Sequence, residues 1–224
     1  MMVSLLVACD VPSPPAPSLP WIHGLSAATV RDTPTSQAAQ RIANLLASST
    51  QDDYGALELQ SDVTGDSRAE TILASYSLGI VVSDAAGRVL TRVPGFEAEG
   101  SADELLAIAS GNAQLGVPVV LAAVQTGGHR ETTISLAIYG MIGGATLRQV
   151  FFAPIEIHEG DRTAAGSLTF VPAGLLYRAP DAQFTKLWTY DVRSGRYLEP
   201  TPAPTNAAPG RDVAPGSDAA PRNI

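Results

Sequence analysis

The chain has 224 residues, 45% hydrophobic and 16% charged, a balance that suits one globular domain or two small ones rather than a disordered chain. A formal net charge of −8, with 14 basic residues scattered singly, excludes nucleic acid as a partner, because phosphate neutralisation needs clustered Lys and Arg. One cysteine excludes an internal disulfide and a multi-thiolate metal site, and no apolar run approaches the roughly 20 residues that span a bilayer.

The chain opens with an apolar run, Met1 to Ala8, that ends at Cys9 and Asp10. A lone cysteine inside a fold is usually a small buried hydrophobe. Cys9 instead borders a proline-rich stretch that cannot build a core. Leu6-Val7-Ala8-Cys9 resembles the lipobox of bacterial lipoproteins, where aliphatic and small residues precede an obligatory cysteine. The resemblance implies residues 1–8 as a signal sequence, cleavage before Cys9, and a diacylglycerol on its thiol with a further acyl chain, such as palmitate, on the new amino terminus. Several chains on one residue give stable anchoring where a single chain gives marginal binding. It also implies a place in the bacterial cell envelope, facing the periplasm or the exterior. A signal sequence wants a basic n-region and about 7–15 apolar residues. The stretch before Cys9 holds no basic residue, so a start upstream of Met1 is expected.

Proline placement divides the rest. Pro12, Pro14, Pro15, Pro17 and Pro20 mark residues 9–33 as anchor and extended spacer, since proline fixes φ and removes a donor. Residues 34–49 carry a helical pattern. Thr35-Ser36-Gln37 can open a helix, and Ala38, Ile42, Leu45 and Leu46 recur at three- and four-residue steps, predicting one N-terminal amphipathic helix over 36–47.

Residues 54–199 read as mainly β, an antiparallel meander with propeller-like or partial-propeller sheets. Short apolar runs such as Glu70 to Tyr76, Gly79 to Ser83 and Pro118 to Val124 are separated by turn dipeptides. These are Ala86-Gly87, Gly127-Gly128, Gly143-Gly144 and Ser194-Gly195. Thr132 to Tyr139 alternates as a half-buried strand does, and Leu187 to Leu198 reads as a closing hairpin. Phe151, Phe152, Trp188 and Tyr190 are spaced like strand core. Ser101-Ala-Asp-Glu104 has the spacing of a capping box, so a helix over 102–109 stands as the alternative to a strand there. Residues 200–224, with Pro200, Pro202, Pro204, Pro209, Pro215 and Pro221, read as a disordered tail.

One loop stands out, Asp62-Val-Thr-Gly-Asp66-Ser-Arg-Ala-Glu70. It resembles the Asp-rich loops of FG-GAP and VCBS-type β-propeller repeats, which join the first two strands of a blade and hold Ca²⁺. The resemblance places Asp62, Thr64, Asp66 and Glu70 on ligand positions for a hard cation that takes six to eight oxygens. Ser67 stands where the repeats carry a second glycine, and Arg68 can neutralise a carboxylate in place of a metal. The loop occurs once, whereas propellers repeat it. The other reading is a turn whose carboxylates cap backbone N–H groups without any ion.

Gly65-Asp66-Ser67 also resembles the opening block of GDSL-type hydrolases, but that chemistry needs a histidine oriented by a carboxylate. The family's aspartate three residues before its histidine is missing, because Ile155 precedes His158 and Thr126 precedes His129. No P-loop is present, and Gly140-Met-Ile-Gly-Gly144 lacks the strand-to-helix setting of a dinucleotide fingerprint. The sequence therefore points to a lipid-anchored envelope protein with a non-enzymatic β domain that binds or scaffolds an envelope protein or glycan. The alternative is an envelope hydrolase acting through the Asp62–Glu70 loop.

Overall fold

The computed structural model describes residues 19–47, 56–96, 103–113, 116–128 and 130–199. Cys9, His129 and the segment from Pro200 onward lie outside the described residues, as do the expectations that fall on them.

The chain begins with β1 (Ile22–His23), β2 (Ser26–Arg31) and α1 (Ser36–Leu46). A four-stranded antiparallel meander follows: β3 (Leu57–Ser61), β4 (Glu70–Ser75), β5 (Gly79–Ser83) and β6 (Val89–Val93). Next come β7 (Glu104–Asn112), β8 (Pro118–Gly127), β9 (Glu131–Ile142), β10 (Thr146–Glu159) and β11 (Arg162–Ala165). With β2 on the far edge they form a six-stranded antiparallel sheet in the order β11-β10-β9-β8-β7-β2. The chain closes with β12 (Ser167–Val171), β13 (Gly174–Arg178), β14 (Lys186–Asp191) and β15 (Arg196–Leu198). These make a five-stranded sheet whose far edge is β1, paired parallel to β12.

The six-stranded sheet is the middle layer. Alternate residues of β8 face opposite ways. Val119, Leu121 and Ala123 join Leu168, Phe170, Leu175 and Tyr177 of the five-stranded sheet, while Val120, Ala122 and Val124 join Leu57, Leu59, Ile72, Ile80 and Val82 of the meander. Phe151 anchors the first core, with its ring edge-on to Trp188 at 5.1 Å and to Tyr177 at 5.5 Å. On the outer face of the meander, Leu73 and Val81 pack against Ala38, Ala39 and Ile42 of α1. The order of layers is therefore helix, four strands, six strands, five strands.

This stacking explains why β8 is a continuous apolar run: a strand covered on both faces has no polar side to alternate with. The half-buried reading of Thr132 to Tyr139 is corrected for the same reason, because β9 is buried without interruption from Ile134 to Gly140. Phe152 is the converse case. It stands 50% exposed, since the meander covers only the first part of β10. In the stretch expected as a helix over 102–109, the residues from Glu104 onward form a strand, β7. Leu105, Ile108 and Ala109 are buried between two sheets there, and Asp103 caps a neighbouring strand by accepting from Gly127 N at 3.1 Å. Tertiary pairing has overridden a local helix signal.

The helix matches its expected span, with Thr35 Oγ1 accepting from Ala38 N at 3.1 Å as the N-cap. Ala38, Ala39, Ile42 and Ala43 form its buried face. It is the third element rather than the first, because the stretch read as spacer, 9–33, already holds β1 and β2 from Ile22 onward.

The described residues are mainly β, in antiparallel sheets with β1·β12 as the parallel pair. Sheets of five, six and four strands do not make a complete propeller of equal blades. Irregular pairing between Gln149 and Phe151, and again between Pro154 and Glu156, bends β10 and curls its sheet. The four turn dipeptides all fall where successive strands of one sheet are joined, Gly127 being the last residue of β8. Gly143 and Gly144 both have positive φ, 61° and 69°, which the tight β9–β10 hairpin demands. This hairpin, rather than a nucleotide loop, is the role of Gly140 to Gly144. Gly79 (φ 87°) is needed for a second reason: a Cβ there would sit 2.1 Å from the Val93 carbonyl oxygen.

Candidate functional site

The Asp62–Glu70 loop joins the first two strands of the meander, β3 and β4. Its shape is set by its own carboxylates. Asp62 Oδ1 accepts from Gly65 N at 2.7 Å, and Asp62 Oδ2 accepts from Ser67 N at 2.8 Å. Asp66 Oδ1 accepts from Arg68 N at 2.9 Å. Glu70, only 4% exposed, accepts from Val63 N at 2.9 Å, Thr64 N at 3.3 Å and the Thr64 hydroxyl at 3.3 Å. Gly65 and Ser67 have φ of 80° and 67°, the left-handed turns that aim successive N–H groups at Asp62. Ser67 occupies a conformation that favours glycine.

The residues singled out in the sequence are thus brought together. One oxygen each from Asp62, Asp66 and Glu70 lies within 4.8 Å of the others, a spread compatible with oxygens around one Ca²⁺. Thr64 joins them through Glu70. Chemically the loop can do two things. Each carboxylate oxygen that accepts one N–H keeps a second lone pair for a hard cation, yet every one of these carboxylates already has a structural partner.

Beside the loop is an open cleft of about 600 Å³, walled by Thr64, Asp66 and Arg68 on one side and by Asp84, Arg88 and Gly144 on the other. Asp84 closes the β5–β6 turn as the Asp loop closes β3–β4. Its Oδ1 accepts from Ala86 N and Arg88 N, and its Oδ2 pairs with the Arg88 guanidinium at 3.0 Å. The Arg88 N–H above all, then the Arg88 charge, holds the Asp84 carboxyl below its usual range.

Ser67 does not meet His158. Both ring nitrogens of His158 are engaged elsewhere, Nε2 with Glu156 Oε1 at 2.6 Å and Nδ1 with Thr163 Oγ1 at 3.1 Å. Glu156 Oε2 in turn accepts from Trp21 Nε1 at 2.6 Å. This second cluster escaped the sequence. A Glu-x-His pair on a strand puts both side chains on one face, which is a readable signal, but the Thr163 and Trp21 partners depend on the β10–β11 pairing and on the docking of β1. The turn from Glu159 to Asp161 joins those strands as a hairpin, as its polar sequence suggests.

Among the described residues no helix is long and apolar enough to cross a membrane. No family model matches the chain, and neither a curated protein nor a solved structure matches it, so what the chain does must be argued from its own residues.

Proposed function

We propose that this chain is an exported bacterial lipoprotein, held at the membrane through acyl chains on Cys9, whose β body binds or scaffolds another component of the cell envelope, a protein or a glycan. The observation that carries the body half of this reading is how its acidic side chains are used. Asp62, Asp66, Glu70, Asp84 and Asp191 all accept backbone N–H groups of their own turns. Carboxylates used in this way stiffen surface loops on a closed apolar stack, which suits presenting a shaped surface better than moving protons. The lipobox-like run Leu6-Val7-Ala8-Cys9 and the proline-rich sequence behind it support the anchoring half.

Two finer points belong to the same reading. The β3–β6 meander is propeller-blade-like, supported by its four-strand order and by an Asp-rich loop between its first two strands. Ca²⁺ at Asp62, Thr64, Asp66 and Glu70 is secondary to the capping role, because the loop closes through hydrogen bonds alone. The hydrolase reading at this loop is disfavoured, since Ser67 does not meet His158 and the carboxylates accept the loop's own N–H groups.

The test is in-cell photocrosslinking of the full-length chain. Phe184 and Val192, 79% and 84% exposed on either side of β14, are suitable positions for the crosslinker. A discrete adduct with one envelope protein or glycan is expected at one position or both. Adducts with neither, alongside efficient crosslinking of a known envelope pair, would count against a binding role.

A further inference from the structure

The Trp21–Glu156–His158–Thr163 cluster has a hydrogen-bond order that its chemistry fixes. An ionised carboxylate only accepts, so Glu156 accepts one hydrogen bond from Trp21 Nε1 on one oxygen and one from His158 Nε2 on the other. In the neutral imidazole Nε2 then carries the proton, and Nδ1 presents its lone pair to the Thr163 hydroxyl at 3.1 Å. Glu156 and His158 share one face of β10, and Thr163 is the cross-strand partner of His158 on β11. Glu156 is the most covered of the acid–base pair, its side chain 16% exposed against 37% for His158, and Thr163 is exposed at the outer edge of the sheet. A hydroxyl, an imidazole held in the tautomer that can take its proton, and a carboxylate fixing that tautomer make the arrangement that activates a nucleophile.

We propose that Thr163 is an acyl-accepting hydroxyl, with His158 as its general base and Glu156 as the residue positioning that base, acting on activated acyl esters. This goes beyond the binding role and does not depend on it. The Thr163 oxygen attacks the ester carbonyl as its proton passes to His158 Nδ1. The bond to the leaving alcohol breaks, and that alcohol takes the proton from His158, leaving an ester on Thr163. Water, deprotonated by the same nitrogen, then releases the carboxylic acid and restores the hydroxyl. A positioned base contributes about 10²–10⁴-fold, so the expected activity is that of an acyl acceptor rather than a fast esterase.

The experiment treats the full chain with p-nitrophenyl acetate, following p-nitrophenolate release and locating acetyl groups by peptide mass spectrometry. Lys186, the single lysine of the chain, is a competing nucleophile, so Lys186→Arg is the background. The wild-type hydroxyl should carry acetyl on the Thr163 peptide. Thr163→Val should lose it and Thr163→Ser should keep it. His158→Gln should slow acylation about 100-fold or more. Glu156→Gln should slow it as well, and Glu156→Asp should recover part of the rate. Absence of acetyl on the Thr163 peptide, or an unchanged rate in His158→Gln with native circular dichroism, overturns the proposal. Neither result bears on envelope crosslinking.

Discussion

Glu70 Oε2 lies 2.9 Å from the backbone nitrogen of Val63, seven residues back in the chain, and both residues are buried. The carboxylate therefore holds the Asp loop against the meander from inside. Glu70→Ala leaves the Val63 N–H buried without its acceptor. Its expected cost is about 2–4 kcal/mol, from a lost charged hydrogen bond and an unsatisfied donor. Glu70→Gln keeps one acceptor and should cost less. Urea unfolding of the two variants checks both the size and the order.

Calcium bears on the same loop. Because Asp62, Asp66 and Glu70 are already tied to loop N–H and hydroxyl groups, the melting temperature should be the same in millimolar Ca²⁺ and in chelator. Ligand binding raises stability by RT ln(1 + [L]/Kd), so even an ion at 100 times its Kd would give about 2.7 kcal/mol and a clear rise. A rise in the wild type that disappears in Asp62→Asn would establish a calcium site in place of a self-capped turn.

Gly79 sits at the entry of β5 with φ 87° and the Val93 carbonyl in the space a side chain would fill. Gly79→Ala should destabilise by about 1–3 kcal/mol from the left-handed backbone alone, with overlap against backbone added. Thermal unfolding measures it. Gly87→Ala, where φ is 77° and no heavy atom lies within 4 Å of the added carbon, carries the backbone cost without the overlap and should be milder.

Two groups predict opposite limbs of the pH profile. The Asp84 carboxyl, held low mainly by the Arg88 N–H, favours folding above its unfolded value of 3.8 and loses that contribution as pH falls through its lower folded value. Burial pushes the Tyr177 phenol up to about 12, so its contribution is full below pH 10 and is lost as pH rises toward 12. Melting curves should therefore show Asp84→Asn flattening the acid limb below about pH 4. Tyr177→Phe should flatten the alkaline limb, and should also lose the 2.6 Å hydrogen bond to the Pro154 carbonyl.

Much of this fold could be read from local sequence. The β9–β10 turn was marked by Gly143-Gly144, the β14–β15 turn by Ser194-Gly195, and α1 by Thr35 and the Ala38/Ile42 spacing, because each depends on residues within a few positions of one another. The misreadings are all non-local. Ser101 to Glu104 reads as a helix start, but from Glu104 onward the chain pairs with β8. Alternation in Thr132 to Tyr139 looks half-buried until the five-stranded sheet and the meander both cover it. Phe152 looks like core, but it stands half exposed. Of the candidate site, Asp62, Thr64, Asp66 and Glu70 were legible because one short loop holds them all. Glu156, His158 and Thr163 were not, because a strand register and the docking of Trp21 assemble them.

The lipid proposed on Cys9 decides whether this β body works in the envelope at all. The direct measurement is metabolic labelling with a palmitate analogue in a bacterial host, carried out with the full gene and followed by membrane fractionation. The wild-type chain should take up label and sediment with membranes, and Cys9→Ala should do neither. An unlabelled wild-type chain, or equal membrane recovery of Cys9→Ala, would contradict a lipid-anchored envelope protein.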